Sequence, residues 1–389
     1  MIHNFLHRAV AYSTFTIGRF LCWWVIATDR EVKRRLLIIR TDRMGDIILF
    51  AGALRYIRLH HPYYEISIVV DKEFRPLLAN CPFVDRIIAV NKRSLKRNII
   101  HRHLFLLRIY TKKFMVCLNP MYSRELITDE IALWSTAPRR VGWDSGHANM
   151  TPEEDARVNR VYTKTVFHRT ENKPVVHELV NNRAFLEAIG IQVSELSPQV
   201  FPLYLATSPS QIKGYVVVAI ESAERYKVWP KAKFEALIEG LAKKMRVVIV
   251  GKAVTTVFHE GYYGPGPLSW DYYRCNNTHN LVNETTIDEL MNVVKHATLV
   301  VGNDTGIIHM ASAFGVPSVC IVGGGQFGRF IPYPQANGLV APVPVLHPMD
   351  CFNCNWKCIY ESTDGEYPCV SEIPVSDVEQ AVEQIMKDN

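Results

Sequence analysis

Two short stretches carry residue types that could do chemistry. Arg40-Thr-Asp-Arg-Met-Gly-Asp46 sets two arginines and two aspartates in one tight turn between apolar runs. Gly302-Asn-Asp-Thr-Gly306 follows the apolar run ending at Val301 and opens a stretch with helical patterning. Backbone N–H groups left open at a helix start attract phosphate. Gly306 would let a phosphate approach the backbone, Thr305 would add a hydroxyl, and His309 falls in the first turn. The competing reading is a Thr or Asx capping turn with no ligand. A third stretch, Cys351-x2-Cys354-x3-Cys358-x10-Cys369, spaces four thiols so that they could reach one tetrahedral zinc or an iron–sulfur centre. Reduced, unligated thiols or a disulfide are the other readings.

The elements that must position these residues follow a strand–helix rhythm. Strands are predicted at 36–39, 66–70, 86–90 and 114–118 and a fifth short strand or turn at 140–142, with helices over 47–60 and 74–79 between them. A helix over 170–190 ends at Gly190, and a Ser/Pro-bearing passage over 195–211 reads as a linker. The rhythm then restarts, with strands at 215–219, 246–250, 297–301 and 317–322 and helices at 233–244, 286–295, 307–314 and 371–386. Apolar strands alternating with helices make a parallel sheet covered on both faces. The expected fold is therefore α/β, with two Rossmann-like domains facing a central cleft. The expected division is 1–30, a membrane-associated or docked segment; 31–205, the first domain; 206–372, the second with its cysteine-rich loop; and 373–389, a closing helix. Ligands in such sheets bind beyond the carboxyl ends of the strands, where both polar turns fall.

A chain of 389 residues with 48% hydrophobic and 21% charged residues is long enough for two cores and is not a disordered one. A formal net charge of +6 suits an anionic ligand or a membrane surface. No zinc-finger spacing or arginine-rich tail points to nucleic acid. Nine cysteines, an odd number with four of them clustered, argue against a secreted disulfide framework. Cys22, Cys117 and Cys320 sit in apolar company and read as core residues. Residues 1–28 contain no Asp or Glu; Arg8, Arg19, Trp23 and Trp24 suit a helix lying in a membrane interface, against docking on the protein's own surface or a true span. Residues 92–113 carry eight Lys or Arg, no acid, and interleaved Leu, Ile and Phe. They read as a basic amphipathic helix or helix pair, either solvated or in contact with anionic headgroups or a phosphorylated acceptor.

The ordered set RTDRMGD, RRVGWDS at 139–145, HELVNNRAFLEAIGI at 177–191, KVWPKAKFEALIEGL at 227–241 and LVNETTIDELMNVVKHATLV running into VGNDTGIIHMASAFGVPSV resembles glycosyltransferase family 9, the bacterial heptosyltransferases of lipopolysaccharide synthesis. The resemblance covers roughly residues 35–345. It implies a GT-B fold and inverting transfer from a nucleotide-activated sugar, commonly ADP-heptose, with no cofactor required for catalysis. By motif, Asp46 matches the catalytic carboxylate, Lys227 the lysine that meets donor phosphate, and Asp304, Thr305 and Gly306 the donor-phosphate loop. His309 matches a nearby helix position. Arg40 and Arg43 could meet an anionic acceptor or orient Asp46, while Asp42 reads as a turn former.

Two turns depart from the family pattern. Glu221 and Ser222 stand where a small phosphate turn is usual, so Ser222 would supply the hydroxyl. Gly251-Lys-Ala-Val254 replaces a Gly-Gly-Pro-Glu-like turn, which brings Lys252 to the donor side. The expected activity is transfer of a heptose or related sugar to a lipopolysaccharide-like or other saccharide acceptor, anionic or lipid-linked. The place is the cytoplasmic inner face of the bacterial inner membrane, with peripheral attachment. The alternative is a non-catalytic nucleotide-sugar-binding protein that keeps the fold. The cysteine group, with or without a structural zinc, is expected to stabilise the C-terminal loop and to take no part in chemistry.

Overall fold

The structure is a computed structural model that describes residues 13–21, 23–24, 34–144, 149–167, 175–199, 201, 214–220, 222, 225–252, 270, 273, 275–335, 338–360 and 366–388. The chain divides into two compact units. One comprises Met1–Arg43, Ala51–Glu171 and Asn181–Leu196; the other comprises Met44–Phe50, Asn172–Val180 and Ser197–Asn389.

The first unit is built on a six-stranded sheet in the order β3-β2-β1-β4-β5-β6. The strands are β1 (Arg35–Ile39), β2 (Glu65–Asp71), β3 (Arg86–Val90), β4 (Val116–Asn119), β5 (Arg139–Trp143) and β6 (Lys164–Val166). All pairings are parallel, with Leu36 opposite Ile66 on one side and Val116 on the other. Leu36 to Ile39 are fully buried, as a strand covered on both faces requires. The helices are α1 at residues 13–21, continuing at 23–24, then α3 (Ala53–His60), α4 (Lys92–Arg97), α5 (Ile99–Tyr110), α6 (Leu126–Trp134), α7 (Pro152–Asn159) and, grouped partly with this unit, α8 (Glu178–Ala188). The basic stretch 92–113 is thus a helix pair, with Asn98 ending α4 and capping α5 through His101 N–H.

The second unit repeats the winding: β12-β11-β10-β7-β8-β9, again all parallel. Its strands are β7 (Tyr215–Ala219), β8 (Arg246–Val250), β9 (Thr278–Asn280), β10 (Leu299–Asn303), β11 (Ser318–Val322) and β12 (Val343–Leu346). Its helices include α2 (Met44–Ala51), α9 (Lys231–Ala242), α10 (Ile287–Lys295), α11 (Gly306–Ala313), α12 (Pro368–Ser371) and α13 (Val375–Asp388). In each sheet the strand order reverses beside the first strand, at β1/β4 and at β7/β10. The turn at 40–43 leaves β1, and the turn at 303–306 leaves β10, so both polar stretches lie at switch points.

Several elements differ from the sequence expectation. The helix over 47–60 is two helices interrupted at Gly52, the residue with the weakest helix preference present there. The turn of helix at 74–79 is a 3₁₀ helix, Lys72–Leu78, because Pro76 inside it has no N–H to continue an α ladder. The closing helix is split into α12 and α13, with Pro374 unable to extend the first. Three edge strands, β6, β9 and β12, carry no sequence signal because they are three or four residues long and only partly apolar. Cys117 and Cys320 are buried in strands as expected, and burial pushes the Cys117 thiol up to about 12. Cys22 lies outside the described residues.

Candidate active site

The head of α11 is assembled from the end of β10. Gly302 must be glycine: a Cβ there would stand 2.6 Å from the carbonyl oxygen of Ala219 on β7. Asn303 is fully buried and joins three segments. Its Oδ1 accepts from Trp229 N–H at 3.0 Å and its Nδ2 donates to Ile220 O at 3.3 Å. The turn Arg225–Trp229 is therefore fastened to the end of β10, and Lys227 is carried with it. Lys227 Nζ meets Asp304 Oδ2 at 2.7 Å. The ammonium also lies 5.5 Å from the Phe330 ring centre and 5.7 Å from that of Trp356, within cation–π range.

Thr305 occupies the N-cap position of α11 but makes no side-chain cap bond. Its Oγ1 is buried and has no hydrogen-bond partner among the described residues. The Asp304 carboxylate faces Lys227. Neither side chain serves as the capping group that a ligand-free turn would use. Burial alone would raise the Asp304 carboxyl, but the Lys227 charge and its hydrogen bond outweigh it and hold the group below its ordinary value. Asp304 is an anion already neutralised by a cation.

Two buried histidines brace this turn. His309 on α11 contacts Tyr333 Oη through Nδ1 at 2.8 Å, and its Nε2 lies 4.0 Å from Asp304 Oδ1. His177 Nε2 meets the Phe330 carbonyl at 2.8 Å while its Nδ1 accepts from Leu179 N–H at 3.1 Å. A carbonyl only accepts, so His177 carries its proton on Nε2. Burial lowers the pKa of each to about 4, against the smaller pull of Asp304, and both rings are neutral at pH 7.

The first turn of α2 packs on this assembly. A Cβ on Gly45 would stand 2.8 Å from His309 Cδ2, and one on Gly306 would stand 2.6 Å from Met44 Cε. Two glycines thus let the starts of α2 and α11 approach closely. Asp46, partly exposed, sits in the first turn of α2, where a helix start favours negative charge. Its charge is felt at His309. Asp46, Lys227, Asp304, Thr305, Gly306 and His309 therefore belong to one compact unit, although Asp46 is more than 260 positions from the last of them (309 − 46 = 263).

The remaining expected residues are placed less centrally. Arg40 is fully buried, with Nε 3.2 Å from Asp42 Oδ2 and Nη1 donating to Pro120 O at 3.1 Å. It braces the end of β1 against β4 and has no surface to offer an acceptor. Arg43 is exposed. Ser222 is buried, Lys252 is exposed, and Glu221 lies outside the described residues.

Cys351, Cys354, Cys358 and Cys369 line one pocket with Trp356 and the Gly324–Gly325 turn after β11. Burial raises the Cys369 thiol, and the three other thiols raise it further, as befits four sulfurs held near one another. No group of three or more His, Cys, Asp or Glu among the described residues is arranged to hold a metal ion. The loop instead carries aromatics onto glycines. Phe352 would be struck by a Cβ on Gly324 and Trp356 by one on Gly325. Backbone bonds Asn353 N→Gly324 O (2.7 Å) and Asn355 N→Gly325 O (2.8 Å) fix it there. Trp356, at φ +62°, stacks on Tyr226 with centroids 4.2 Å apart. The cysteine loop thus abuts the very turn that carries Lys227, a proximity that the sequence does not reveal.

Sequence reasoning also missed a buried polar network in the first unit. Arg124 pairs with Asp129 at 2.9 Å, Tyr162 donates to the same carboxylate, and Asn119 Nδ2 contacts Tyr162 Oη at 2.7 Å. Acids at 129 and 130 inside the apolar run of α6 were the available signal.

Two doubly wound parallel sheets in tandem define a protein of GT-B fold. The match of residues 131–344, just over half the chain, to the model of glycosyltransferase family 9 (heptosyltransferase) settles which one: the chain belongs to that family. Lipopolysaccharide heptosyltransferase 1 of Campylobacter coli is 24% identical over 305 residues, 74% of this chain and 84% of that protein. The fold is shared with the family 9 glycosyltransferase of Veillonella parvula (TM-score 0.68, 18% identity, covering 91% of this chain and 97% of the other). It is shared also with E. coli ADP-heptose lps heptosyltransferase II (TM-score 0.63, 16% identity, 91% and 99%).

Proposed function

We propose that this glycosyltransferase moves a heptose or related sugar from ADP-heptose or a kindred nucleotide sugar to a lipopolysaccharide-like saccharide, with inversion at the anomeric carbon. The names of the curated relative and of the E. coli structure support the donor and acceptor classes. The observation that carries the reading is the pair Lys227–Asp304 at the head of α11, next to a buried Thr305 hydroxyl with no capping bond.

In the proposed reaction the acceptor hydroxyl oxygen bonds to the anomeric carbon as the bond from that carbon to the diphosphate oxygen breaks. Asp46 takes the hydroxyl proton, and the electron pair of the broken bond leaves with the diphosphate. A carboxylate suffices as the base because the hydroxyl becomes acidic as the new bond forms. The leaving charge is met by Lys227, the Thr305 hydroxyl and the backbone N–H groups at the start of α11. Asp304 does not repel the diphosphate, because its charge is compensated by Lys227 and it holds that ammonium in place. His309, neutral and wedged against Gly45, sets the position of the α2 turn that bears Asp46. Arg43 is the proposed acceptor contact; Ser222 and Lys252 are proposed to lie along the donor. The cysteine group is proposed to be structural, and elemental analysis of protein purified without affinity metals decides whether zinc accompanies it. A lipid-linked acceptor sets the reaction at the cytoplasmic inner face of the bacterial inner membrane, with residues 1–30 aiding peripheral attachment.

The test is a screen of nucleotide sugars by thermal shift and mass spectrometry. ADP-heptose is expected to stabilise the protein and to yield ADP and a glycosylated product with a heptose-poor saccharide. Stabilisation by no nucleotide sugar would sink the reading.

A further inference from the structure

One side chain crosses the carboxyl edge of the first sheet. Lys92 begins α4, just beyond β3. Its backbone N–H donates to Asp71 Oδ2 at 3.2 Å, at the end of β2. Its ammonium donates to Thr41 O at 3.1 Å, just past the end of β1. The same ammonium pairs with Glu125 Oε1 at 2.7 Å, at the start of α6, the helix that follows β4. The strands lie in the order β3-β2-β1-β4, so Lys92 joins the segments that leave four neighbouring strands.

Both ends of this strap are themselves fixed. Asn91 caps α4 by accepting from Ser94 N–H at 3.0 Å, and Asp71 Oδ1 accepts from Glu73 N–H at 3.2 Å. Glu125 Oε2 meets Lys96 Nζ at 2.6 Å. Burial would raise the Glu125 carboxyl, but the charges and hydrogen bonds of Lys92 and Lys96 outweigh it and keep the group an anion. A lysine held at both ends gives up much of its rotamer freedom, which an isolated surface pair repays poorly. Lys96 also meets Glu125 and is 42% exposed, against 20% for Lys92. The contact that sets Lys92 apart is the carbonyl of Thr41.

That carbonyl belongs to the turn 40–43. Arg40 holds the turn from within the fold, since its N–H donates to Val69 O at 2.9 Å and its buried guanidinium to Pro120 O. Lys92, one-fifth exposed, holds it from the open side, at the strand ends where ligands of such sheets bind. The turn ends on Arg43, an exposed cation.

We propose that Lys92 is a positioning residue for the saccharide acceptor: it straps the 40–43 turn to α4 and α6 and so fixes where Arg43 meets an anionic group of that acceptor. This rests on the reading of Arg43 as the acceptor contact and deepens it by naming the side chain that sets its place.

The experiment compares Lys92→Met with Lys96→Met in the full chain. Each removes one cation from Glu125, but only the first removes the bond to Thr41. Two quantities are measured: amide hydrogen exchange over 40–43, and affinity by calorimetry for ADP and for a deacylated, heptose-poor lipopolysaccharide saccharide. In Lys92→Met, exchange over 40–43 should rise at least about tenfold and saccharide affinity fall about five- to tenfold, with ADP affinity within about twofold. Lys96→Met should match the parent in all three. Glu125→Gln, which removes the anchoring anion and keeps the side chain's size, should shift exchange and saccharide affinity in the same direction as Lys92→Met, and it carries the test if Lys92→Met fails to fold. Unchanged exchange over 40–43, equal effects of the two lysine variants, or faster exchange with unaltered saccharide affinity would each overturn the proposal. None of these readouts needs turnover. A parent that transfers no sugar would sink the proposed reaction alone, and a strap that fails these tests would leave that reaction standing.

Discussion

Lys227 and Asp304 meet at 2.7 Å in a site where both are mostly buried. A charge-assisted contact of this kind is worth roughly 1.5–3 kcal/mol. Lys227→Ala is therefore expected to weaken donor binding by about ten- to a hundredfold, read by calorimetry, and to slow departure of the diphosphate. Unchanged affinity together with unchanged turnover would remove Lys227 from the site. At this scale the sequence was informative where a residue type has one plausible use in a turn. Asp46, Asp304 and Gly306 stand out because polar residues and glycine interrupt apolar runs. Asn303 did not, although it fastens the Lys227 turn to β10, because its partners Trp229 and Ile220 are more than seventy positions away (303 − 229 = 74). The burial of Arg40 was not legible for the same reason. Nothing local says that its guanidinium turns inward to Pro120.

Among the elements, the loop over 351–360 links the C-terminal region to the proposed donor site. Its Trp356 ring lies between Gly325 and Tyr226, one residue from Lys227. A left-handed backbone at a tryptophan costs of order 1 kcal/mol or more, and the packing against glycine and Tyr226 must offset it. Stacked aromatic pairs contribute about 0.5–1.5 kcal/mol beyond their burial. Trp356→Ala is expected to raise the donor KM by roughly three- to tenfold with little change in kcat, and Trp356→Phe to restore most of it. A fall in thermal stability with an unaltered KM would mean that the loop is structural only. Strand cores were legible because β1, β7, β10 and β11 each contain an unbroken apolar run. The edge strands were not, because pairing with a neighbour rather than their own pattern makes them strands. For α1 the sequence left docking and membrane contact as alternatives; with apolar residues on both faces, the helix docks through one and leaves the other exposed.

For the molecule as a whole, two sheets with one winding order place each polar turn at a switch point, and that much follows from the repeated strand–helix rhythm. The buried neutral histidines give the fold a pH signature. Between pH 6.5 and about 4 the unfolded chain binds protons at His177 and His309 that the folded chain refuses. Stability should therefore fall as pH drops through that window, by about 1.4 kcal/mol per pH unit for each histidine. The lowered Asp304 carboxyl adds a loss of the same sign at still lower pH. Melting temperatures that stay flat from pH 7 to about 4.5 would contradict the burial of neutral imidazoles. The central claim is that Asp46 accepts the acceptor's proton while Lys227 and the start of α11 receive the diphosphate. The most direct measurement is transfer from ADP-heptose, followed by mass spectrometry, in the parent and in Asp46→Asn, with donor affinity measured on both. The expected result is donor affinity within about twofold and turnover reduced by at least about a hundredfold. Near-parental turnover in Asp46→Asn, with donor bound equally well, would contradict it.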